Sequence, residues 1–237
     1  MKLSFFILIM FCLAGLMVEA YCEDRPNIVA EVGGRKFFKS QFRPDGLQLK
    51  VINNANPNQS IDQIKQNYIF EKLFSLLLSP LRKKYIKSHG IEATKSEISA
   101  CLDIIKKEIE KLEDNNPRKV FFSQPEYKKL LPALARYKVN NWKFKSNIYK
   151  QTGGRIFLFE GDDFPIDAYR AFFENNKKAG SFEIYDPELR KRFWRFLSGN
   201  DSLLIKTNLT TLNNQWKDYR PKKKVATEAK NLNTNED

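Results

Sequence analysis

Apolar residues recur at helical spacing along three long stretches of the chain. The first begins at Ile61 and carries an apolar side chain every three or four residues as far as Leu77. The second runs from Ile98 to Leu112, opposite a row of lysine and glutamate side chains, and the third covers about 124–151 with an interruption near Pro132. The spacing predicts three amphipathic helices, each with one buried face.

Capping boxes predict where these helices begin, because each pairs a Ser or Thr with a Glu or Gln three residues later. The three pairs are Ser60 with Gln63, Thr94 with Glu97, and Ser123 with Glu126. Pro80 is expected to kink or restart the first helix, and Gly90 to close it. A short loop joins the first two helices, which predicts antiparallel packing.

Strand patterns are short and few. Residues 28–32 and 35–38 flank Gly33-Gly34, which predicts a tight hairpin. A solitary hairpin is marginally stable, so 155–159 (RIFLF) or 182–185 (FEIY) is expected to complete its sheet. Residues 43–59 are rich in Asn, Pro and Gly and predict a loop.

The second half repeats a strand followed by a helix. One helix is predicted from Pro165 to Gly180, a second from the cap Asp186 to Gly199, and a last one over 203–216. Together these elements predict a mainly helical α+β fold, with a helical bundle and one small antiparallel sheet.

Four segments are predicted. Residues 1–20 have the order of a secretory signal peptide, with Lys2 before an apolar run and Ala20 at the cleavage site. Residues 21–152 carry the hairpin and the long helices, 153–216 form a mixed segment packed on them, and 217–237 form a disordered basic tail. No transmembrane segment is expected after cleavage, and the predicted location is periplasmic or secreted.

The formal charge of +13 predicts attraction to acidic surfaces or acidic chains. A basic surface kept for solubility is the alternative. Two stretches, 137–150 and 190–196, interleave basic and aromatic residues. Phe144 and Trp194 fall off the apolar stripes of these stretches, so they and Arg195 are the predicted contact residues for a client polypeptide. Nucleic acid is not expected, because the chain is predicted to be exported.

No enzyme signature stands out in the sequence. The one histidine, His89, precedes Gly90 at a predicted helix end, where it suits the helix dipole. Glu160, Asp162 and Asp163 lack the spacing of a calcium loop and suit a turn. No catalytic residue, metal site or cofactor is therefore predicted.

Two cysteines remain after the predicted cleavage. An oxidising compartment permits a disulfide between Cys22 and Cys101. Cys101 also lies on the apolar stripe of the second helix, which favours a buried thiol.

Residues 27–112 resemble the N-terminal domain of SurA-type periplasmic chaperones. The matching positions are Ile28, Val29, Val32, Gly34, Phe38 and Phe42 in the hairpin region, and Gly90, Ile91, Thr94, Glu97 and Ile98 before the second helix. The resemblance implies a hairpin completed by distant parts of the chain. The parvulin prolyl isomerase domain usual in that family is not recognisable, so no isomerase activity is implied.

These observations predict a chaperone-like protein of the bacterial envelope that binds unfolded or outer-envelope polypeptides, or one protein partner, without catalysis. Two alternatives stay open. One is a basic secreted interaction or effector protein without holdase activity. The other is a hydrolase that uses His89 or the carboxylates of 160–163.

Overall fold

The computed structural model describes residues 27–55, 59–159 and 161–206. The predicted signal peptide, the predicted tail and Cys22 lie outside the described residues. The chain divides into two compact units. Described residues of the first unit are 27–55, 59–92, 140–159 and 161–206, and those of the second are 93–139. The boundary predicted at residue 152 therefore falls inside the first unit.

The secondary structure mixes helices with short strands. In chain order the elements are β1 (Ile28–Val32), β2 (Arg35–Phe38), a 3-10 turn (Lys39–Phe42), α1 (Gly46–Ala55), α2 (Ile61–Ser88), α3 (Lys95–Glu110), α4 (Pro117–Ser123), α5 (Pro125–Lys128), α6 (Leu131–Thr152), β3 (Ile156–Phe159), β4 (Asp162–Pro165), α7 (Ile166–Lys178), β5 (Phe182–Ile184), α8 (Pro187–Leu197) and β6 (Ile205–Lys206). This composition confirms the predicted mainly helical α+β class.

The N-terminal hairpin is completed by β5, giving an antiparallel sheet in the order β2-β1-β5. Gly33 and Gly34 both have positive φ, as the two-residue turn requires. Ala30 lies opposite Ile184, and Val32 opposite Phe182. Of the two segments expected to complete the hairpin, 182–185 does so. Pairing between residues at least 150 positions apart in sequence thus completes the first sheet.

Residues 156–159 belong instead to a second antiparallel sheet, in the order β4-β3-β6. Ile156 pairs with Pro165 in one direction, and Leu158 pairs with Ile205 in the other. The helix predicted over 203–216 is therefore wrong for residues 205–206, which form a strand. Its remaining residues from 207 onward lie outside the described residues.

Two of the three predicted capping boxes are present. Ser60 Oγ accepts from the Gln63 amide at 3.2 Å, and Thr94 Oγ1 accepts from the Glu97 amide at 3.3 Å. The predicted box at Ser123 is wrong, because that hydroxyl donates to the Val120 carbonyl at 2.7 Å as the last residue of α4. Helix α5 begins after Gln124, with Pro125 in its first turn.

The segment predicted as a loop, 43–59, contains helix α1. Asp45 caps it, since Asp45 Oδ1 accepts from the Gln48 amide at 2.7 Å while Gln48 Oε1 accepts from the Asp45 amide at 3.0 Å. Gln48 also accepts from the Tyr68 hydroxyl of α2 at 3.1 Å. The Asn-rich composition concealed a capping box that uses Asp in place of Ser or Thr.

Helix α2 continues through Pro80 without restarting. A proline inside a helix costs about 3 kcal/mol. Leu77, Leu78 and Leu81 are buried on either side of it, and each buried leucine returns about 1.5–3 kcal/mol. Burial therefore outweighs the lost hydrogen bond. The helical zone predicted over about 124–151 is interrupted just before Pro132, as expected, because α5 ends at Lys128 and α6 begins at Leu131.

The core of the first unit is built around the ring of Phe74 on α2. Within the described part of the chain, seven aromatic rings lie within 6.3 Å of it, centroid to centroid: Phe70, Phe159, Phe164, Tyr169, Phe173, Phe193 and Phe196. They come from α2, β3, β4, α7 and α8. One side chain thus joins the second sheet and the two C-terminal helices to α2.

In the second unit, α3 buries the stripe that its spacing predicted. Ala100, Cys101, Ile105 and Ile109 are its buried residues. Because α2 belongs to the first unit, the predicted antiparallel packing of α2 and α3 stays a prediction. Among the described helices, none is long and apolar enough to cross a membrane.

Replacing Thr94 by alanine tests the capping assignment. Thr94→Ala should lower the free energy of unfolding by about 1 kcal/mol, because it leaves helix amides without a partner. Ser123→Ala is the matched control and should cost less than about 0.5 kcal/mol, because its exposed hydroxyl accepts from no helix amide. Urea unfolding measures both, and equal losses would contradict the assignment.

Removing the ring of Phe74 tests its central place in the core. Phe74→Ala should destabilise the first unit by about 3–5 kcal/mol, and Phe74→Leu by less, because a smaller cavity remains. Tyr185→Ala, at an exposed aromatic position, is the control. A loss for Phe74→Ala no larger than that of the control, measured by urea unfolding, would refute this description.

Candidate functional site

Phe144, one of the predicted contact residues, is fully buried, so its prediction as an exposed contact is wrong. Its ring packs edge-on against Tyr85, Tyr169 and Phe172, at 5.0–5.7 Å between centroids. Phe144 was predicted as a contact because it falls off the apolar stripe expected for its helix. In the structure Phe144 and Ile148 are both buried, and so is the neighbouring Lys145.

Trp194 is only partly buried. It lies on α8, whose core stripe is Phe193, Phe196 and Leu197. A residue next to Phe193 in sequence turns about 100° away from that stripe, because a helix has 3.6 residues per turn. The indole packs edge-on against Phe193 at 5.3 Å and keeps part of its surface exposed.

Local contacts fix the orientation of α8. Asp186 Oδ1 accepts from the Leu189 amide at 2.9 Å, and Pro187 occupies the first turn, as the sequence predicted. Arg192 donates to the Gln66 carbonyl at 2.7 Å and to Asn67 Oδ1 at 2.6 Å, both on α2. The face that carries Trp194 is therefore held in place.

Trp194 forms one wall of an open cleft of about 430 Å³ between α7 and α8. Arg170, Glu174, Lys177 and Lys178 of α7 line the rest of it. Three cationic side chains and one carboxylate thus surround an indole face. We call this the Trp194 cleft.

The cations of the Trp194 cleft differ in how far they are already engaged. Arg170 Nε lies 2.9 Å from Glu174 Oε1. Lys177 Nζ lies 3.7 Å from Glu183 Oε1 and 5.8 Å from the centroid of the Trp194 ring. The side chain of Lys178 is exposed, and its ammonium makes no ion pair or hydrogen bond within the part of the chain that the structure describes. The cleft therefore keeps uncompensated positive charge.

Arg195, the third predicted contact residue, does not line the Trp194 cleft. Its guanidinium lies 3.6 Å from Asp201 Oδ2, a carboxylate that is almost fully buried. Arg192 lies 3.5 Å from the same oxygen. Arg195 remains more than half exposed. Its guanidinium pairs with Asp201 in the segment after α8 and does not contribute to the lining of the cleft.

An ion pair fixes the start of α7. Arg155 donates to both carboxylate oxygens of Asp167, from Nε to Oδ2 at 3.0 Å and from Nη2 to Oδ1 at 2.7 Å. This hydrogen bonding holds the pKa of Asp167 below its ordinary value. Gly154 has φ +98°, and a Cβ there would come within 2.6 Å of the Asp167 Cβ. Only glycine allows this approach.

His89 caps the C-terminus of α2. Its Nδ1 lies 2.9 Å from the Tyr85 carbonyl, which can only accept, so Nδ1 carries the proton in this contact. The ring stacks on Tyr85 at 3.8 Å. Ser88 lies 3.1 Å from Nδ1, but its hydroxyl also reaches the Tyr85 carbonyl at 3.0 Å. These contacts support the predicted place of His89 at a helix end.

Of the predicted carboxylate cluster, Glu160 lies outside the described residues, and Asp162 and Asp163 belong to β4. The buried Lys145 donates to Asp162 Oδ2 at 2.5 Å and to the Asp163 carbonyl at 3.1 Å. Asp162 thus neutralises a lysine that α6 buries. Within the described residues, no group of three or more His, Cys, Asp or Glu side chains could hold a metal ion.

Cys101 is buried, with 1% of its surface exposed, as its position on the stripe predicted. Burial raises the pKa of its thiol to about 11, so the thiol is protonated at neutral pH. Its proposed disulfide partner, Cys22, lies outside the described residues, and the disulfide stays a prediction.

Sequence reasoning missed the α7 side of the Trp194 cleft. Arg170, Glu174 and Lys177 follow one another at spacings of four and three. Side chains at that spacing share one helix face, so the polar stripe of α7 was readable from the sequence. Its proximity to Trp194 was not, because it depends on how α7 and α8 pack.

No family model matches this chain, and searches of curated proteins and of solved structures likewise found no match. The resemblance to SurA-type domains therefore stands on the residues quoted for it, and it stays a prediction.

The Arg155–Asp167 pair predicts acid sensitivity. Asp167 has a lowered pKa in the folded chain, so its contribution to stability is present at neutral pH and is lost as the pH falls below about 4. Asp167→Asn should make the free energy of unfolding less dependent on pH between 6 and 3. Asp103→Asn removes the same charge at an exposed position and is the control. The same slope for all three proteins would contradict this assignment.

Proposed function

We propose that this protein is a non-catalytic, chaperone-like binder of polypeptides in the bacterial cell envelope. The observation that carries the proposal is the partly exposed indole of Trp194 in an open, basic cleft. Aromatic side chains that are rigid and half-buried supply much of the binding energy at protein interfaces. The surrounding cations speed encounter with chains that carry acidic residues.

The sequence supports the same proposal in two ways. The signal-peptide pattern of residues 1–20 and the basic composition suit an exported protein that meets other chains. The resemblance of residues 27–112 to SurA-type domains adds a family whose members bind unfolded outer-envelope proteins. Binding of this kind would be reversible docking of client segments and would need no cofactor.

Aggregation of an unfolded model substrate tests the proposal. The purified protein should suppress light scattering at stoichiometric ratios, because the cleft withdraws apolar segments from self-association. Trp194→Ala should reduce the suppression by half or more, whereas Tyr185→Ala, at an exposed aromatic outside the cleft, should not. Melting curves of each variant separate loss of binding from loss of folding.

Absence of suppression at both low and moderate salt would contradict the proposal. A crosslinking pull-down from envelope extract then distinguishes its closest alternative. Many unrelated proteins support a general client binder. One dominant protein supports the basic interaction or effector protein without holdase activity.

A further inference from the structure

From the geometry of the Trp194 cleft we infer the chemical class of its occupant: an acidic polypeptide segment that carries an apolar or aromatic side chain. This inference rests on the proposed polypeptide binding and specifies it. It follows from three features of the cleft: its charge, its indole wall and the basic residues that extend it.

The charge of the lining favours an anionic occupant. Among the residues that the structure describes, Glu174 is the one carboxylate that lines the cleft, and Arg170 already engages it at 2.9 Å. Lys177 shares its charge with Glu183 at the longer distance of 3.7 Å. Lys178 is exposed and meets no acidic side chain in the described part of the chain. An incoming carboxylate would supply the missing counter-charge.

The indole wall favours an apolar side chain beside that carboxylate. Trp194 is partly buried and packs against the core beside Phe193, which restricts its side-chain rotamers before any ligand arrives. A rigid, preformed aromatic surface loses little conformational entropy on binding. The Lys177 ammonium lies 5.8 Å from the centroid of the same ring. A bound chain can therefore place a carboxylate against Lys177 and an apolar side chain of a neighbouring residue against the indole.

The basic surface continues along α8. Arg190 and Lys191 precede Trp194 by four and three residues, so they share its helix face, and both are exposed. Positive charge thus lies in the α7 lining of the cleft and continues beside the cleft on α8. An extended segment with several acidic residues would meet cations along its length, whereas a single small anion would use only one of them.

Fluorescence anisotropy with labelled heptapeptides tests the inference on the full chain. The probe peptide has two glutamates on each side of a central phenylalanine, and two control peptides replace the glutamates by glutamine or the phenylalanine by alanine. The wild-type protein should bind the probe at least about tenfold more tightly than either control. Raising the salt from 50 to 500 mM should weaken that binding, because the charges are exposed.

Two substitutions in the cleft should change the affinity in opposite directions. Lys178→Glu should weaken probe binding about tenfold by placing like charges together, whereas Glu174→Gln should strengthen it by releasing Arg170. Lys83→Glu makes the same charge change at an exposed position on α2 that does not line the cleft, and it should leave the affinity within twofold of wild type.

Equal binding of the three peptides, or equal effects of Lys178→Glu and Lys83→Glu, would overturn the inference. The proposed function would survive that result if the same preparation suppressed aggregation in a Trp194-dependent manner. Changes in probe affinity in the predicted directions support the inference even if the protein does not suppress aggregation. That combination favours one dedicated acidic partner over many clients.

Discussion

The aromatic cluster around Phe74 is the interaction on which the first unit depends. Its rings come from α2, from the second sheet and from both C-terminal helices, which are far apart in sequence. Aromatic pairs in tilted or edge-on geometry contribute about 0.5–1.5 kcal/mol beyond the burial of their area. A cluster of this kind specifies how α7 and α8 pack, and it thereby fixes the distance between the two walls of the Trp194 cleft.

Polar contacts around this core set orientation more than stability. Arg192 ties α8 to α2, and Arg155 ties the start of β3 to α7 through Asp167. The pairing of β1 with β5 joins the N-terminal hairpin to the segment between α7 and α8. The two helices that bound the cleft are therefore each held by a polar contact as well as by the aromatic core, as a preformed binding surface requires.

The capping boxes and apolar stripes predicted most helix positions, because these signals are local. The prediction failed where local chemistry was ambiguous. Asp45 opened a helix inside an Asn-rich segment, and Ser123 ended a helix where it was expected to begin one. Phe144 was assigned to the surface because it falls off the apolar stripe expected for its helix, yet it is buried, as is the adjacent Lys145, whose charge Asp162 neutralises.

The sequence by itself determined the mainly helical α+β class, the hairpin at Gly33-Gly34, the cap at Asp186 and the place of Trp194 off the apolar stripe of its helix. These features depend on residues within one or two turns of each other. Tertiary structure alone decided that β5 completes the first sheet, and that α7 brings its cations to Trp194. Such pairings join residues far apart in the chain, and their geometry follows from how buried side chains fit together, which no local pattern encodes.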